Sequence, residues 1–364
     1  MLTVIPETKQ LPLKKIKEII NDPAKSARAV HLRYVSDKQP GISRERTGDQ
    51  FVYFYKGEQV TDEEILARIR KLVLPPAWTS VWICPYENGH LQATGIDSKN
   101  RKQYKYHQAW NMVRNQTKYY RMIDFGKALP GIRKRLKKDL SLPGFPPEKI
   151  LATIVSLMEI TPIRVGNDSY EKLYGSYGLT TLKNKHARIN GTELRFSFKG
   201  KKGVSHNISI RSRKLARIIK ACKDLPGKEL FEYIDQNNEI RKIDSGMVND
   251  YIRDISEGEF TTKDFRTWSG TVQALTAFRG YEEATSKTQI KKNIVAALDK
   301  VSLHLGNTRT VCKKYYVHPL LIELYETNRL AGCFNNTAPV NPDSDETGLT
   351  TDERVLMEIL SSTQ

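Results

Sequence analysis

The sequence predicts an α+β protein of two lobes: a small N-terminal α+β unit, then a mainly helical unit carrying a short β-meander. Three observations lead there. Residues 1 to about 115 mix a capped helical run with strand-like runs around an Asn-Gly turn. From 116 to 335 the apolar pattern is helical, except over 187–211, where its period drops to two. Residues 336–364 turn acidic and open with a stretch rich in Asn, Pro, Asp, Ser and Thr. The expected units are therefore 1–115, 116–335 and an acidic, flexible tail at 336–364.

In the first unit, TDEE at 61–64 reads as a capping box before an amphipathic run through Ile65, Leu66, Ile69 and Leu72. The runs at 81–84 and 90–95 flank Asn88-Gly89, a strong hairpin signal because both central residues of such a turn accept positive φ. After the basic segment 102–107 the pattern becomes helical. Pro146-Pro147 opens a helix whose Ile150, Leu151, Ile154, Leu157 and Met158 share one face. Asn190-Gly191 and the loop Gly200–Gly203 then punctuate three strand-like runs. Helical patterns resume from about 213 to 330, and 336–350 reads as a linker. A last amphipathic segment with Val355, Leu356, Ile359 and Leu360 would either dock, on the body or on a partner, or stay disordered.

Composition narrows the function. The 364 residues carry 59 Lys+Arg against 41 Asp+Glu, a net charge of +18, and with six of the acids in 336–364 the remainder is more basic still. Basic clusters recur at 14–15, 101–105, 133–138, 199–202, 211–214 and 313–314. Dispersed in this way, they suit a surface facing a polyanion, where each neutralised phosphate releases counterions. No apolar run approaches the length of a membrane span, and the N-terminus has no apolar core before a small-residue cleavage site. Cys84, Cys222, Cys312 and Cys333 are scattered without a CxxC pair, which fits reduced thiols in the cytoplasm better than a zinc site.

Familiar phosphate and metal motifs are missing: no GxxxxGK[ST], no HExxH, no DxDxDG. Phosphodiester chemistry would therefore rest on cations and a side-chain nucleophile. Four segments supply such residues: TPIRVGN at 161–167 followed by Tyr170, FKGKKGVSH at 198–206, TKDFRTWSG at 262–270, and LGNT at 305–308 followed by KKYYVHP at 313–319. Each alone has an ordinary reading as a capping or ion-paired cation or a half-buried tyrosine. The residues themselves do not separate Tyr315 from Tyr316, or Lys201 from Lys202.

Taken in order, these segments resemble the catalytic domain of type IB topoisomerases, in the compact branch of poxviruses and bacteria. The likeness covers roughly 75–320 and includes PPAWTSVWICPYENGHLQATGIDSKNRKQYKYH at 75–107 and IRVGNDSYEKLYGSYGLTTLKNKH at 163–186. It implies a catalytic fold related to that of tyrosine recombinases, a monomer acting on duplex DNA at the nucleoid, and no ATP, metal or other cofactor. It also implies roles. Arg164 and Arg266 would hold the scissile phosphate, a task suited to planar, bidentate guanidiniums. Lys201 would protonate the departing 5′ oxygen, and Asn307 would donate to a phosphate oxygen where the poxvirus enzymes have histidine. Tyr316, nine residues beyond Asn307, would attack phosphorus and form a 3′-phosphotyrosyl bond. Arg101, Gln103, Tyr104, Tyr106 and Tyr170 match DNA-contacting positions. Two alternatives stand beside this reading: a tyrosine recombinase, which typically has histidine where this chain has Lys263, and a non-catalytic DNA-binding relative.

Overall fold

In a computed structural model of the chain, the residues described are 18–20, 22–48, 50–98, 100, 102–281, 286–334 and 347–362. The chain divides into two compact units, Met1–Arg121 and Met122–Gln364. Arg101 and the Lys14–Lys15 pair lie outside the described residues.

The first unit is built on an antiparallel sheet. Its strands are β1 (Ile42–Thr47), β2 (Gln50–Tyr55), β3 (Glu58–Gln59), β4 (Thr79–Ile83), β5 (Leu91–Ile96) and β6 (Lys102–Tyr106), in the order β3-β2-β1-β4-β5-β6. Strands β4 and β5 pair across the Asn88-Gly89 region, as the turn signal implied. The helix α1 (Glu63–Lys71) covers one face, with Ile65 and Ile69 packed on Ile42, Val81, Ile83 and Ala93. Its cap differs from the expected capping box. Asp62, not Thr61, is the N-cap, and its carboxylate accepts from the Glu64 and Ile65 amides at 2.8 and 3.2 Å. A charged carboxylate also complements the helix dipole, so the adjacent aspartate outcompetes the threonine. The basic segment forms the edge strand β6.

The second unit is mainly helical. The helix α2 (Gln108–Asp139), which belongs to this unit from Met122 onward, brings Phe125 edge-on to Phe260, Phe265 and Trp268, at ring separations of 5.3, 5.0 and 5.9 Å. The helix α3 (Pro147–Ile160) buries every residue of its predicted apolar face. The meander appears as β7 (Ala187–Asn190), β8 (Glu193–Lys199) and β9 (Ser205–Arg211), all antiparallel. After α4 (Arg213–Lys223), the expected run of helices is broken by a short hairpin, β8's later counterparts β10 (Glu232–Ile234) and β11 (Ile240–Lys242). Strands of three residues are too short to print an alternating pattern. Helices α5 (Ser245–Ser256), α6 (Thr262–Arg279), α7 (Lys287–Leu305), α8 (Arg309–Tyr315) and α9 (Pro319–Glu326) follow.

The tail expected at 336–364 lies outside the described residues only to 346. Its end forms α10 (Thr351–Ser361), with Val355, Leu356, Ile359 and Leu360 all buried. A polar knot holds this helix to the body. Arg133 of α2 donates to both Glu353 oxygens at 2.8 and 3.0 Å, to Glu159 at 2.5 Å and to the Gly348 carbonyl at 2.6 Å. The Trp268 indole donates to the same Glu353 carboxylate at 2.9 Å. Burial alone would raise the Glu353 pKa, but Arg133 and Trp268 hold it below the ordinary glutamate range.

Deleting this carboxylate leaves the buried guanidinium with Glu159 and the Gly348 carbonyl alone and takes the acceptor from the Trp268 indole. Glu353→Ala should therefore destabilise the protein by up to about 3 kcal/mol, the lower end of the cost of breaking a buried pair, read from urea midpoints at neutral pH. Because the folded-state pKa is depressed, the carboxylate's contribution is complete above 4.5, the ordinary glutamate value, and is lost as pH falls through the lower folded value. The gap between wild type and variant should therefore narrow on acidification.

Candidate active site

The site is assembled from loops and helix ends of the second unit. The segment carrying Arg164 leaves α3 at Thr161 and is pinned by backbone bonds. The amides of Leu179 and Thr180 donate to the Arg164 and Val165 carbonyls at 2.9 and 2.7 Å. Its guanidinium reaches Asn307, with Nη2 donating to Oδ1 at 2.8 Å. Asn307 follows Gly306, the left-handed residue (φ 58°) that ends α7.

Arg266 lies on the first turns of α6 and is 8% exposed. Its Nη2 donates to the Leu305 carbonyl at 2.8 Å and its Nη1 to the Pro162 carbonyl, while the buried Nε has no hydrogen-bond partner among the described residues. The guanidinium carbon stands 5.4 Å from the centre of the Tyr316 ring. Among the described residues, neither guanidinium pairs with a carboxylate.

This crowding of like charge shows in the titration behaviour. Burial, then the neighbouring Arg266, pushes Arg164 down to about 10, still charged at neutral pH. His206 and His304 are lowered by burial and then by the arginine charges. Burial brings His318 to about 4. The histidines around the arginines are thus neutral at neutral pH, and the guanidiniums hold the positive charge in search of an anion.

Tyr316 ends α8, and the next helix, α9, starts after His318. Thr271 of α6 clamps this short loop. Its buried hydroxyl donates to the Tyr316 carbonyl at 3.0 Å and accepts from the His318 amide at 3.2 Å. Tyr315 points elsewhere in character: it is 41% exposed, whereas Tyr316 is partly buried beside Arg266.

Lys201 sits on the exposed turn Lys201–Gly203 between β8 and β9, closed by the Gly200 amide on the Val204 carbonyl at 2.7 Å. Lys202 beside it holds a left-handed conformation (φ 63°). The structure therefore brings together Arg164, Arg266, Asn307 and Tyr316, and places Lys201 at the tip of a hairpin that approaches the Gly306 backbone through His206, close to that tip.

The other expected DNA contacts are dispersed. Tyr170 is exposed near the start of the short helix Asp168–Tyr174, its ring 5.7 Å from Tyr174. On β6 of the first unit, Tyr104 is half exposed and stacks on Tyr106 at 6.0 Å and 6°, while Gln103 donates to Asp97 at 2.9 Å. Sequence reasoning gave no role to Thr271, to His206, or to the Pro162 and Leu305 carbonyls. The carbonyls carry no side-chain signal; a histidine three residues past a basic turn was the one visible cue.

Comparison with known proteins is consistent along the chain. Residues 99–329 match the family described as the catalytic core of eukaryotic DNA topoisomerase I, and residues 50–97 match the N-terminal domain of bacterial DNA topoisomerase IB. The chain is 36% identical over 297 residues to a protein of Acanthamoeba polyphaga mimivirus named DNA topoisomerase 1B, covering 79% of this chain and 88% of that protein. It is 24% identical over 245 residues to the DNA topoisomerase 1B of vaccinia virus (strain Copenhagen), covering 67% and 75%.

Proposed function

The chain belongs to the type IB DNA topoisomerases, and from that premise we propose that Tyr316 is its nucleophile, assisted by Arg164, Arg266, Asn307 and Lys201. The observation that carries this reading is the pair of guanidiniums that have no carboxylate partner among the described residues, one of them beside the Tyr316 ring. A phosphodiester is the ligand such a pair fits, since each guanidinium offers planar donors to nonbridging oxygens.

In the reaction, the Tyr316 oxygen bonds to phosphorus and loses its proton to solvent. The bond from phosphorus to the 5′ oxygen breaks, and Lys201 supplies the proton that the leaving oxygen takes. Charge building on the nonbridging oxygens meets Arg164, Arg266 and the Asn307 amide already in place. The downstream duplex rotates, and the 5′ hydroxyl then attacks the phosphotyrosine to reseal the strand. One ester replaces another, so no nucleotide hydrolysis is needed. Gln103, Tyr104, Tyr106 and Tyr170, with Arg101, are proposed to contact the duplex. We propose further that the enzyme acts as a monomer at the nucleoid, and that its catalytic unit shares its fold with tyrosine recombinases.

The test is relaxation of a supercoiled plasmid bearing no recombination site, in EDTA and without ATP. Full relaxation is expected, with the rate falling steeply at high salt as phosphate contacts are screened. A strict need for divalent metal in the cleavage step would overturn the mechanism.

A further inference from the structure

His206 lies on β9, three residues past the turn that carries Lys201, and it is 9% exposed. Its ring stacks on Phe198, its cross-strand partner, at 5.1 Å and 22°. Two glycines make room for it. A Cβ on Gly200 would fall 2.6 Å from the imidazole Cδ2 and Nε2, and a Cβ on Gly306 would fall 2.9 Å from Cε1. One ring therefore touches the backbone of both segments, the hairpin turn just before Lys201 and the loop just before Asn307.

We propose that His206 is a positioning residue that seats the Lys201 turn against the Gly306–Asn307 loop, so that the proton donor and the phosphate clamp hold a fixed spacing. The inference rests on reading Lys201 as the general acid. Burial and the charges of Arg164 and Arg266 keep the imidazole neutral, so it adds no third cation. A neutral ring wedged between two backbones acts by shape. Side-chain bulk at Gly200 or Gly306 would displace it, and removing the ring would leave the hairpin tip free to drift from the phosphate.

The experiment compares single-turnover cleavage of two DNA substrates, one ordinary and one with sulfur in place of the scissile 5′ oxygen. A thiolate leaves without protonation, so the sulfur substrate removes any need for the general acid. His206→Ala should slow cleavage of ordinary DNA by about 10–100-fold, the scale of a misplaced reacting group. On the sulfur substrate it should recover to near the wild-type rate, as Lys201→Ala should. Because the same preparation is read on both substrates, misfolding cannot mimic this pattern. Gly200→Ala, which pushes on the ring from the hairpin side, should show the same recovery and carries the test if His206→Ala does not fold. Rescue of Lys201→Ala without rescue of His206→Ala or Gly200→Ala would overturn the positioning role alone. Failure of the sulfur substrate to rescue Lys201→Ala would instead overturn the general-acid reading.

Discussion

Tyr316→Phe should abolish both plasmid relaxation and the covalent protein–DNA adduct, a loss of at least about 10⁴-fold, as when a nucleophile acting in concert with its partners is removed. The change deletes one hydroxyl. The loop keeps its anchors, because Thr271 bonds the Tyr316 carbonyl and the His318 amide rather than the phenol. The melting temperature and DNA affinity should therefore stay near wild type. Tyr315→Phe, at the exposed neighbouring position, should relax plasmid at close to the normal rate. Denaturant trapping of the adduct on end-labelled DNA, followed by peptide mapping, reads both variants. An adduct formed by Tyr316→Phe would sink the assignment.

The second large effect is expected at Arg266. Arg266→Ala should lower the cleavage rate by about 10²–10³-fold or more, the usual scale for losing one preorganised donor to a developing oxyanion. Arg266→Lys should recover little of this. An ammonium has three donors on a single nitrogen, so holding the Pro162 and Leu305 carbonyls leaves it at most one for a phosphate and none of the planar bidentate geometry. Religation of a preformed adduct should slow by a similar factor, since the same phosphorus passes through the same transition state in reverse. Equal loss in both directions, with duplex binding largely retained, separates this role from simple affinity. A variant that binds DNA weakly yet cleaves at the normal rate once saturated would contradict it.

Local signals in the sequence carried much of the fold. Asn190-Gly191 and Gly200–Gly203 marked the meander, and the spacing of Ile150, Leu151, Ile154, Leu157 and Met158 marked α3, because turns and amphipathic faces are encoded within a few residues. Strand order was not legible. Nothing near Ile42 or Ile83 announces that these residues of β1 and β4 pair, 41 positions apart in the chain. The hairpin of β10 and β11 was too short to show a period. The docking of α10 depended on Arg133, over two hundred residues away from Glu353.

The candidate site divides in the same way. The family resemblance named Arg164, Lys201, Arg266, Asn307 and Tyr316 as a set, but the convergence of Arg164, Arg266, Asn307 and Tyr316 is a property of tertiary structure. Two of the acceptors that orient Arg266 are main-chain oxygens, which any residue could supply. The clamp by Thr271 and the seat of His206 between two glycines likewise emerge only when distant backbones meet.

The anchoring of Arg266 by carbonyls has a consequence for the lifetime of a DNA break. Main-chain oxygens at the ends of packed helices do not rearrange when one phosphate ester replaces another. In the role proposed for it, the guanidinium consequently lowers the barrier to breaking and to sealing alike, and the chemistry holds no ratchet favouring either state. How long a nick stays open is then set by the freed 5′ end, by how far torque carries it and how soon it swings back to the waiting phosphotyrosine.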